Sequence, residues 1–274
     1  MRAILLAAGL GTRLLPLTAR IPKCMVPIGG RPLLDHWLEA CERRGFGDVL
    51  VNTHHHGEAV ESFLSQSRRP LHVRIAREER LLGTAGTLRA NWDFVAGEEI
   101  FLFAHADNYT DVDLGEFVET FRTRRRSTTV LGAALFRTPT PCTCGIVELD
   151  ASGHIVAWHE KVPSPPGNLA NGAVYLGTPE LAHALRIGEP SGPADFSTEV
   201  VPHLMGRILG YEIPGFLADI GTPEISRKWQ QEYSVTQASQ DEAKKAREQE
   251  TAQKVGVELK KDEESKEGRK KGRK

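Results

Sequence analysis

Cysteine is scarce in this chain of 274 residues, which contains only four: Cys24, Cys41, Cys142 and Cys144. Their spacing gives neither the paired C-x-x-C pattern of a zinc site nor the framework of a disulfide-rich secreted domain. Cys142 and Cys144 could supply two metal ligands, but a tetrahedral site needs more partners than one such pair. We therefore expect all four cysteines to be reduced thiols.

The chain also lacks an excess of either charge and any long apolar run. Its 35 Lys and Arg residues balance 36 Asp and Glu residues, giving a net charge of -1. No apolar stretch reaches the roughly 18 residues of a membrane helix, and no cationic leader precedes the first apolar run. We expect a cytoplasmic protein with small-molecule partners, without nucleic-acid or membrane partners, and we leave a homo-oligomer open.

Strands and helices alternate along most of the sequence. Residues 2–8 read as a buried strand, and Pro32 begins a helix with an apolar stripe at Leu33, Leu34, Trp37, Leu38 and Cys41. The order strand, helix, strand, helix predicts an α/β fold with parallel pairing. Further strands are predicted at 48–52, 71–76, 100–104, 128–136, 145–149, 154–158, 173–176, 208–213 and 216–220. Further helices are predicted at 57–65, 114–125, 179–185, 197–206 and 223–232.

Composition divides the chain near its carboxyl end. Residues 1–232 read as one domain, whereas 233–274 are rich in charged and small polar residues and almost lack large apolar ones. Such a segment cannot bury enough apolar surface to offset its loss of conformational entropy. We expect a charged tail that is disordered or partly helical.

The loop after the first strand carries the main functional signal. In Leu6-Ala-Ala-Gly-Leu-Gly-Thr-Arg13, the glycines can turn backbone N–H groups toward an anion at the carboxyl edge of the sheet. The dinucleotide fingerprint fails because Leu14 stands at its third glycine, and no Gly-Lys-Ser/Thr closes a Walker A loop. The backbone of Leu6, Ala7, Ala8, Gly9, Gly11 and Thr12 is therefore a candidate cradle for phosphate.

Two cations accompany this loop. Arg13 ends it, and Lys23 follows ten residues later in Pro22-Lys-Cys-Met-Val-Pro27. A guanidinium can span two phosphate oxygens, and an ammonium can lie as a compact charge beside the reacting phosphorus. Alone, either cation would most simply lie on the surface; together with the loop they indicate polyphosphate chemistry.

At these residues the sequence resembles the sugar-1-phosphate nucleotidylyltransferase family. The resemblance rests on Leu6-Ala-Ala-Gly-x-Gly-Thr-Arg-Leu14, Pro16-Leu-Thr18, Pro22-Lys23, Pro27 and Gly30-x-Pro-Leu33, and extends through Asp219-Ile-Gly-Thr-Pro223. It implies a Rossmann-like three-layer sandwich with a mostly parallel mixed sheet, of the nucleotide-diphospho-sugar transferase type. It also implies magnesium-assisted, in-line attack of a sugar 1-phosphate on the α-phosphorus of a nucleoside triphosphate, releasing pyrophosphate.

The resemblance assigns roles to particular residues. Arg13 matches an arginine over the β- and γ-phosphates, and Lys23 a lysine at the α-phosphate. Asp107 and Asp219 match the two carboxylates that hold Mg²⁺, a cation that prefers oxygen ligands. Sugar-phosphate contacts are implied at Gly145, Glu160, Lys161 and Asn171, with Lys161 as the cation on the sugar phosphate and a catalytic residue.

The base is predicted to contact Glu78 and the loop 82–86. Gly83, Thr84 and Gly86 would let the backbone approach the ring, and a carboxylate can accept from the two adjacent N–H groups of guanine. This favours GTP, and the loop looks more like that of mannose- and heptose-1-phosphate guanylyltransferases than that of glucose-1-phosphate thymidylyltransferases. Because the next residue, Glu79, could stand at the position assigned to Glu78, UTP, CTP and dTTP stay open as alternatives. The identity of the sugar also stays open.

Two other sequence patterns and one alternative role permit competing interpretations. Asp111-Val-Asp113 resembles the D-x-D of nucleotide-sugar glycosyltransferases, but acidic residues here also favour a cap on the helix at Leu114. A non-catalytic subunit that binds a nucleotide sugar is a second alternative, although it would not need the full set of charged residues. His54-His-His56 is more typical of a loop cluster than of a metal site. The chain shows no appended β-helix repeats, so one activity is expected.

Overall fold

The computed structural model describes residues 1–186 and 192–221. All of these lie in the first of two compact units, Met1–Ile225. The predicted helix 223–232, the domain boundary at 232 and the tail 233–274 lie outside the described residues. No helix within the described ranges is long and apolar enough to cross a bilayer.

A nine-stranded mixed sheet forms the centre of the described fold, which confirms the predicted fold class. Its strands are β1 Arg2–Leu6, β4 Asp48–Thr53, β5 His72–Arg77, β6 Phe101–His105, β8 Leu131–Arg137, β9 Gly145–Leu149, β10 Ile155–Glu160, β11 Leu169–Gly177 and β12 Ile208–Glu212. The main path runs β10-β9-β11-β6-β1-β4-β5, while β8 pairs with β11 and β12. Neighbours in the β6-β1-β4-β5 half are parallel, and β11 is antiparallel to β6, β8 and β9.

Two small sheets supplement the central one. β2 (Pro27–Ile28) pairs with β3 (Arg31–Pro32), and β7 (Asn108–Thr110) pairs antiparallel with β13 (Leu217–Asp219). The second pair places Asp219 opposite Asn108, directly beside Asp107. The predicted strand 216–220 is thus β13, outside the main sheet.

Helices cover both faces of the sheet and form two cores. The helices are α1 Leu33–Arg43, α2 Gly57–Gln66, α3 Gly83–Ala90, α4 Trp92–Val95, α5 Leu114–Arg124 and α6 Leu181–Leu185. Alternating residues of β1 face opposite sides of the sheet: Leu5 joins a core with α1 and α5, and Ile4 joins a core with α3, α4 and α6. The sheet and the helices on its two faces make three layers, as predicted.

The predicted apolar stripe of α1 is confirmed. Leu33, Leu34, Trp37, Leu38 and Cys41 are all buried, because residues spaced by three or four share one face of a helix. The Trp37 indole Nε1 donates to the carbonyl of Asn108 at 2.9 Å. This contact fixes the helix against the segment that follows β6.

The sequence-based assignment was wrong in two segments. Residues 83–86, predicted to belong to the loop 82–86, instead form the beginning of a helix, α3 (Gly83–Ala90), where the glycines allow close packing against the backbone of Ala194. The predicted helix 197–206 is instead a π-helix, Phe196–Val200, followed by a 3₁₀ helix, Val201–Leu204, that contains Pro202 near its start. Proline has no N–H to continue the α-helical bonding pattern.

The four cysteines are free thiols. Cys24 and Cys41 are buried, Cys142 is exposed and Cys144 is partly exposed. Burial raises the pKa of the Cys24 and Cys41 thiols to about 12. These two therefore behave as small apolar side chains of the core.

An ion-pair network holds α1 to the segment that follows α2. The Asp35 carboxylate accepts from Arg31 Nε at 2.7 Å and from Arg69 Nη2 at 2.8 Å, and its side chain is only 16% exposed. Burial opposes ionisation of Asp35, but the two guanidinium groups outweigh it, so the pKa of this carboxyl lies below its usual value.

We expect Asp35→Asn to lower the free energy of unfolding by about 1 to 2 kcal/mol at pH 7. A carboxyl with a depressed folded-state pKa stabilises the fold above its unfolded pKa, and this stabilisation disappears as pH falls. Denaturant unfolding of both proteins from pH 7 to pH 3 should therefore show the difference narrowing below about pH 4. A constant difference across this range would contradict the assignment.

Candidate active site

The predicted phosphate loop follows β1 at the carboxyl edge of the sheet and continues into a 3₁₀ helix, Thr12–Leu14. Gly11 has a φ of 63°, and a Cβ there would lie 2.9 Å from a Thr18 methyl carbon and 3.2 Å from the Cβ of Lys23. Only glycine fits this left-handed, crowded position. The loop is anchored at its start, where Ala7 N donates to Asn52 Oδ1 at 2.6 Å.

Four predicted residues, Arg13, Lys23, Asp107 and Asp219, meet beside this loop; we call them the Lys23 cluster. Lys23 Nζ lies 2.8 Å from Asp107 Oδ2 and 2.7 Å from Asp219 Oδ1. Arg13 Nη2 lies 3.1 Å from Asp219 Oδ2. The Lys23 side chain is 6% exposed, whereas that of Arg13 is 69% exposed. The buried cation thus contacts both carboxylates, and the exposed cation contacts only Asp219.

Electrostatics keeps this cluster charged. Burial alone would lower the pKa of Lys23, but Asp107 and Asp219 outweigh it and raise that pKa above its usual value. Partial burial likewise opposes ionisation of Asp219, but Lys23 and Arg13 hold its pKa below the usual value. Lys23 is therefore an ammonium and Asp219 a carboxylate at neutral pH.

The carboxylates of the cluster fit the donor set of magnesium. Asp107 and Asp219 direct oxygens at one cationic atom, Lys23 Nζ, from different strand ends. Among residues 1–186 and 192–221, no group of three or more His, Cys, Asp or Glu side chains could hold a metal ion. Two carboxylates can nevertheless hold Mg²⁺ when substrate phosphates and water supply the other oxygens, as in many phosphoryl-transfer sites.

Three of the predicted sugar-phosphate residues lie together at the start of β9 and the end of β10. Glu160 pairs with Gly145, and a Cβ at Gly145 would lie 2.6 Å from Glu160 Oε2. Lys161 Nζ lies 3.3 Å from Glu160 Oε1, and the Lys161 side chain is 67% exposed. Lys161 has a φ of 49°, an uncommon conformation for a residue with a side chain. Such backbone strain is frequent at functional sites.

Asn171 lies where β11 loses its regular pairing. Its Nδ2 donates to the Tyr175 hydroxyl at 2.6 Å, its Oδ1 accepts from Ala173 N at 3.0 Å, and Ala173 has a φ of 54°. Tyr175 is buried against Phe103 and Phe196. Asn171 was predicted from the sequence, but Tyr175 was not. Tyr175 lies four residues after Asn171, and in a strand this spacing does not indicate a contact between two side chains.

The predicted base contact Glu78 is 9% exposed and has several protein partners. Its Oε1 accepts from Asn52 Nδ2 at 2.8 Å and from Thr87 Oγ1 at 2.5 Å, and its Oε2 accepts from Leu82 N at 3.0 Å. A cavity of about 470 Å³ opens beside it, lined by Arg77, Glu78, Glu79, Arg80 and Leu82. Both candidate base contacts, Glu78 and Glu79, therefore line this cavity.

Gly83, Thr84 and Gly86 do not form the loop that the sequence predicted. They make the first turn of α3, against the backbone of Ala194: a Cβ at Gly83 would lie 2.4 Å from the Ala194 carbonyl oxygen. The Thr84 hydroxyl contacts Asp195 and Phe196. The close approach for which these glycines are needed is to another segment of this chain, and their contact with the nucleotide stays a prediction.

Two charged or polar residues near the cluster were missed by sequence reasoning. His105 ends β6, opposite Leu6 of β1, and Asp195 precedes the π-helix. Burial lowers the pKa of His105, while Asp107, Lys23 and Asp195 all lie within electrostatic range of its ring. The only sequence signal for His105 was its position at the end of an apolar strand.

The aspartates and histidines of the competing patterns contact the backbone of this chain. Asp113 caps α5 by accepting from Gly115 N at 2.8 Å and Glu116 N at 3.0 Å, which confirms the predicted cap. Asp111 Oδ1 accepts from Phe216 N at 2.7 Å. In the histidine run, His54 Nδ1 lies 2.8 Å from the Glu78 carbonyl oxygen and His56 Nε2 lies 3.1 Å from that of Ala19.

The described fold is that of nucleotide-diphospho-sugar transferases. The structure of apo UDP-glucose pyrophosphorylase superposes with a TM-score of 0.73 at 20% identity, covering 86% of this chain and 98% of that one. HddC from Yersinia pseudotuberculosis, solved in complex with GMP-PN, superposes with a TM-score of 0.70 at 22% identity, covering 85% and 99%. Likenesses at this identity establish the class of fold.

The sequence then identifies the family. A family model described as nucleotidyl transferase matches residues 2–255, and the chain belongs to this family. It is 30% identical over 226 residues to glucose-1-phosphate thymidylyltransferase of Streptomyces antibioticus, covering 81% of this chain and 63% of the relative. It is 27% identical over 224 residues to D-glycero-alpha-D-manno-heptose 1-phosphate guanylyltransferase of Campylobacter jejuni, covering 82% and 96%.

A third relative is mannose-1-phosphate guanylyltransferase of Mycobacterium tuberculosis, 30% identical over 230 residues, covering 81% of this chain and 61% of the relative. The chain therefore spans less than two thirds of the length of two of these three relatives. Guanylyl- and thymidylyltransferases match at comparable identity. Membership of the family is therefore compatible with either nucleotide.

Proposed function

We propose that this protein transfers a nucleotidyl group from a nucleoside triphosphate, with GTP favoured, to a sugar 1-phosphate, giving a nucleotide sugar and pyrophosphate. The observation that carries the proposal is the Lys23 cluster at the end of the phosphate loop. A buried ammonium shared by two carboxylates from distant strand ends is suited to a metal-bound polyphosphate. A structural ion pair would not need the adjacent glycine loop or the exposed Arg13.

The two cations have complementary tasks in this reaction. Arg13, which is exposed and reaches the cluster from the loop, binds the β- and γ-phosphates, where a planar guanidinium can contact two oxygens. Lys23 is held by its two carboxylates at one position and lies beside the α-phosphate, where it stabilises the charge that develops during displacement. A phosphate oxygen of the sugar 1-phosphate forms a bond to the α-phosphorus. The bond from the α-phosphorus to the oxygen of the β-phosphate breaks, and pyrophosphate leaves with its electron pair.

Asp107 and Asp219 would hold Mg²⁺ in the working enzyme. When bound, the metal neutralises phosphate charge and orients the phosphate oxygens. The same two carboxylates contact Lys23 Nζ and raise the pKa of Lys23, so each of them has the second task of keeping this ammonium protonated.

The sugar phosphate is assigned to the ends of β9, β10 and β11. Exposed Lys161 neutralises its phosphate, Glu160 accepts from a sugar hydroxyl, and Asn171 lines the pocket. Gly145 allows the Glu160 carboxylate to lie against the backbone of β9, where a Cβ would be only 2.6 Å from Glu160 Oε2. The sugar, whether mannose, a heptose or another, is to be identified by the panel of sugar 1-phosphates in the experiment below.

Preference for GTP rests on a carboxylate beside the cavity near α3. Guanine offers two adjacent N–H donors, and Glu78 and Glu79 both line that cavity. Two of the three relatives named above are also guanylyltransferases. The uracil, cytosine and thymine nucleotides are the alternatives for the same reaction.

The proposal predicts magnesium-dependent release of pyrophosphate only when both substrates are present. The measurement is a matrix of GTP, ATP, UTP, CTP and dTTP against a panel of sugar 1-phosphates, with Mg²⁺ and with a chelator. We expect the highest kcat/KM with GTP and loss of release in chelator. The highest kcat/KM with dTTP or UTP would contradict the base preference and leave the reaction class standing.

Absence of pyrophosphate release from every pair would contradict the reaction itself. The same assay separates the two rival classes of protein. A glycosyltransferase would consume a nucleotide sugar and release a nucleoside diphosphate, and a regulatory subunit would bind a nucleotide sugar without turnover. Asp111 and Asp113, on which the glycosyltransferase reading depends, are occupied by backbone N–H groups of Phe216, Gly115 and Glu116.

A further inference from the structure

Helix α3 lies between the two halves of the proposed site and has hydrogen bonds toward both. On the nucleotide side, Thr87 Oγ1 donates to Glu78 Oε1 at 2.5 Å. The same Glu78 oxygen accepts from Asn52 Nδ2, and Asn52 Oδ1 accepts from Ala7 N of the phosphate loop. A continuous chain of hydrogen bonds therefore joins α3 to the loop that follows β1.

On its other side, α3 is fixed to the segment 192–196 by backbone contacts. Ala85 N and Gly86 N donate to the Ala194 carbonyl oxygen at 2.9 and 3.2 Å, and Ala194 N donates to the Leu82 carbonyl oxygen at 2.8 Å. The first N–H groups of a helix are unpaired within it, so Ala194 satisfies two of them. This explains the tight fit at Gly83 and leaves little freedom between the two segments.

Thr84 is the side chain that extends this contact. Its Oγ1 accepts from Phe196 N at 2.7 Å and donates to Asp195 Oδ2 at 3.3 Å. Asp195 in turn accepts from Thr198 N at 3.0 Å and so caps the π-helix that follows. One hydroxyl thus sets the position of both residues at the beginning of that helix.

From Phe196 the contacts continue into the sugar half of the site. Its ring centroid lies 5.1 Å from that of Tyr175 and 4.9 Å from that of Phe103. The Tyr175 hydroxyl accepts from Asn171 Nδ2 at 2.6 Å, at the position where β11 departs from regular pairing. The orientation of Asn171 therefore depends on how Phe196 is placed.

We propose that Thr84 is a positioning residue which links the nucleotide half of the site to the sugar-phosphate half, by holding Phe196 against Tyr175 and so orienting Asn171. The inference rests on the proposed function. It gives Thr84 a task different from direct contact with the base. Loss of the hydroxyl should weaken the sugar-phosphate side while the Glu78–Asn52–Ala7 connection keeps the nucleotide side in place.

Valine and serine substitutions separate the hydroxyl from the shape of the side chain. Thr84→Val retains the volume but leaves Phe196 N without its acceptor, whereas Thr84→Ser retains the acceptor and loses a methyl group. A partly buried N–H that loses its partner costs enough to change an equilibrium by about tenfold. Thr123→Val, at an exposed threonine of α5 whose hydroxyl contacts the Glu119 carbonyl oxygen, is the matched control.

The experiment measures two quantities for the full chain and each variant. The KM for the sugar 1-phosphate comes from pyrophosphate release at saturating GTP, and the Kd for GTP comes from equilibrium titration without sugar. For Thr84→Val we expect the KM to rise about tenfold and the Kd for GTP to change less than about twofold. Thr84→Ser and Thr123→Val should retain both values near those of the unsubstituted chain.

Three results would overturn the inference. The first is a Kd for GTP that rises in Thr84→Val as much as the KM does, because the residue would then serve the nucleotide side or general stability. The second is an unchanged KM in an active Thr84→Val protein. The third is a Thr84→Ser protein that behaves like Thr84→Val, since the hydroxyl would not be the working group. An unsubstituted chain without pyrophosphate release would overturn the proposed function instead, and this inference with it.

Discussion

Replacing Lys23 by Ala should reduce kcat about a thousandfold while raising the Kd for GTP less than about tenfold. In the proposed site, Arg13 and the backbone of the phosphate loop would still contact the ground-state nucleotide in this variant. The Lys23 ammonium would contribute mainly when charge reorganises at the α-phosphate in the transition state. The check is a comparison of steady-state kcat with the Kd for GTP from equilibrium titration.

The same substitution also leaves Asp107 and Asp219 without their shared cation. Part of any loss could therefore arise from destabilisation, and thermal unfolding of the variant must accompany the kinetics. Arg20→Ala removes an exposed cation three residues earlier in the same segment and is the matched control, with expected kcat within about twofold. A folded Lys23→Ala protein with nearly normal kcat would exclude Lys23 from the reaction.

The second large effect is expected at Asp107. Asp107→Asn keeps the shape of the side chain but removes one of the two carboxylate charges that would hold Mg²⁺, and kcat should fall by about a hundredfold or more at 1 mM Mg²⁺. A magnesium titration of kcat should show a higher half-saturating concentration than in the unsubstituted chain. Since Asp219 still pairs with Lys23, the variant should remain folded.

Asp93→Asn provides the control for Asp107→Asn. Asp93 is exposed in the short helix α4, so the same change of charge there should leave the magnesium titration unaltered. An Asp107→Asn protein whose kcat and half-saturating magnesium concentration both match those of this control would show that Asp107 holds no catalytic metal. A loss of kcat without any change in magnesium dependence would assign Asp107 to Lys23 alone.

Much of the fold could be predicted because hydrophobic periodicity determines which face of an element is buried. The apolar stripe of α1 and the apolar runs of β1 and β6 predicted the correct elements. Their apolar side chains, Trp37 and Phe103 among them, are buried in the cores. α3 could not be found this way. Its glycines lower helix propensity, and what makes them necessary is a contact with Ala194, more than a hundred residues later.

The candidate site shows the same limit. Arg13 and Lys23 were predicted from the glycine loop that follows β1, and Asp107 and Asp219 from the resemblance to sugar-1-phosphate nucleotidylyltransferases. The structure brings all four together. Tyr175 and Asp195 could not be found, because nothing in a β-strand or before an irregular helix marks a residue that positions another. The tyrosine becomes informative only when its hydroxyl is seen at 2.6 Å from Asn171.

The pairing of β7 with β13 also affects how the protein folds. The ion pair between Lys23 and Asp219 joins residues 196 positions apart, and closing a loop of that length has a large entropic cost that few local contacts can offset. Besides its ion pairs with Lys23 and Arg13, Asp219 is held by three residue pairs of a two-stranded sheet, the kind of element that opens locally before a large sheet does. We therefore expect β13 to open without unfolding of the nine-stranded sheet, and Asp219, one of the two carboxylates proposed to hold Mg²⁺, to join the site late in folding.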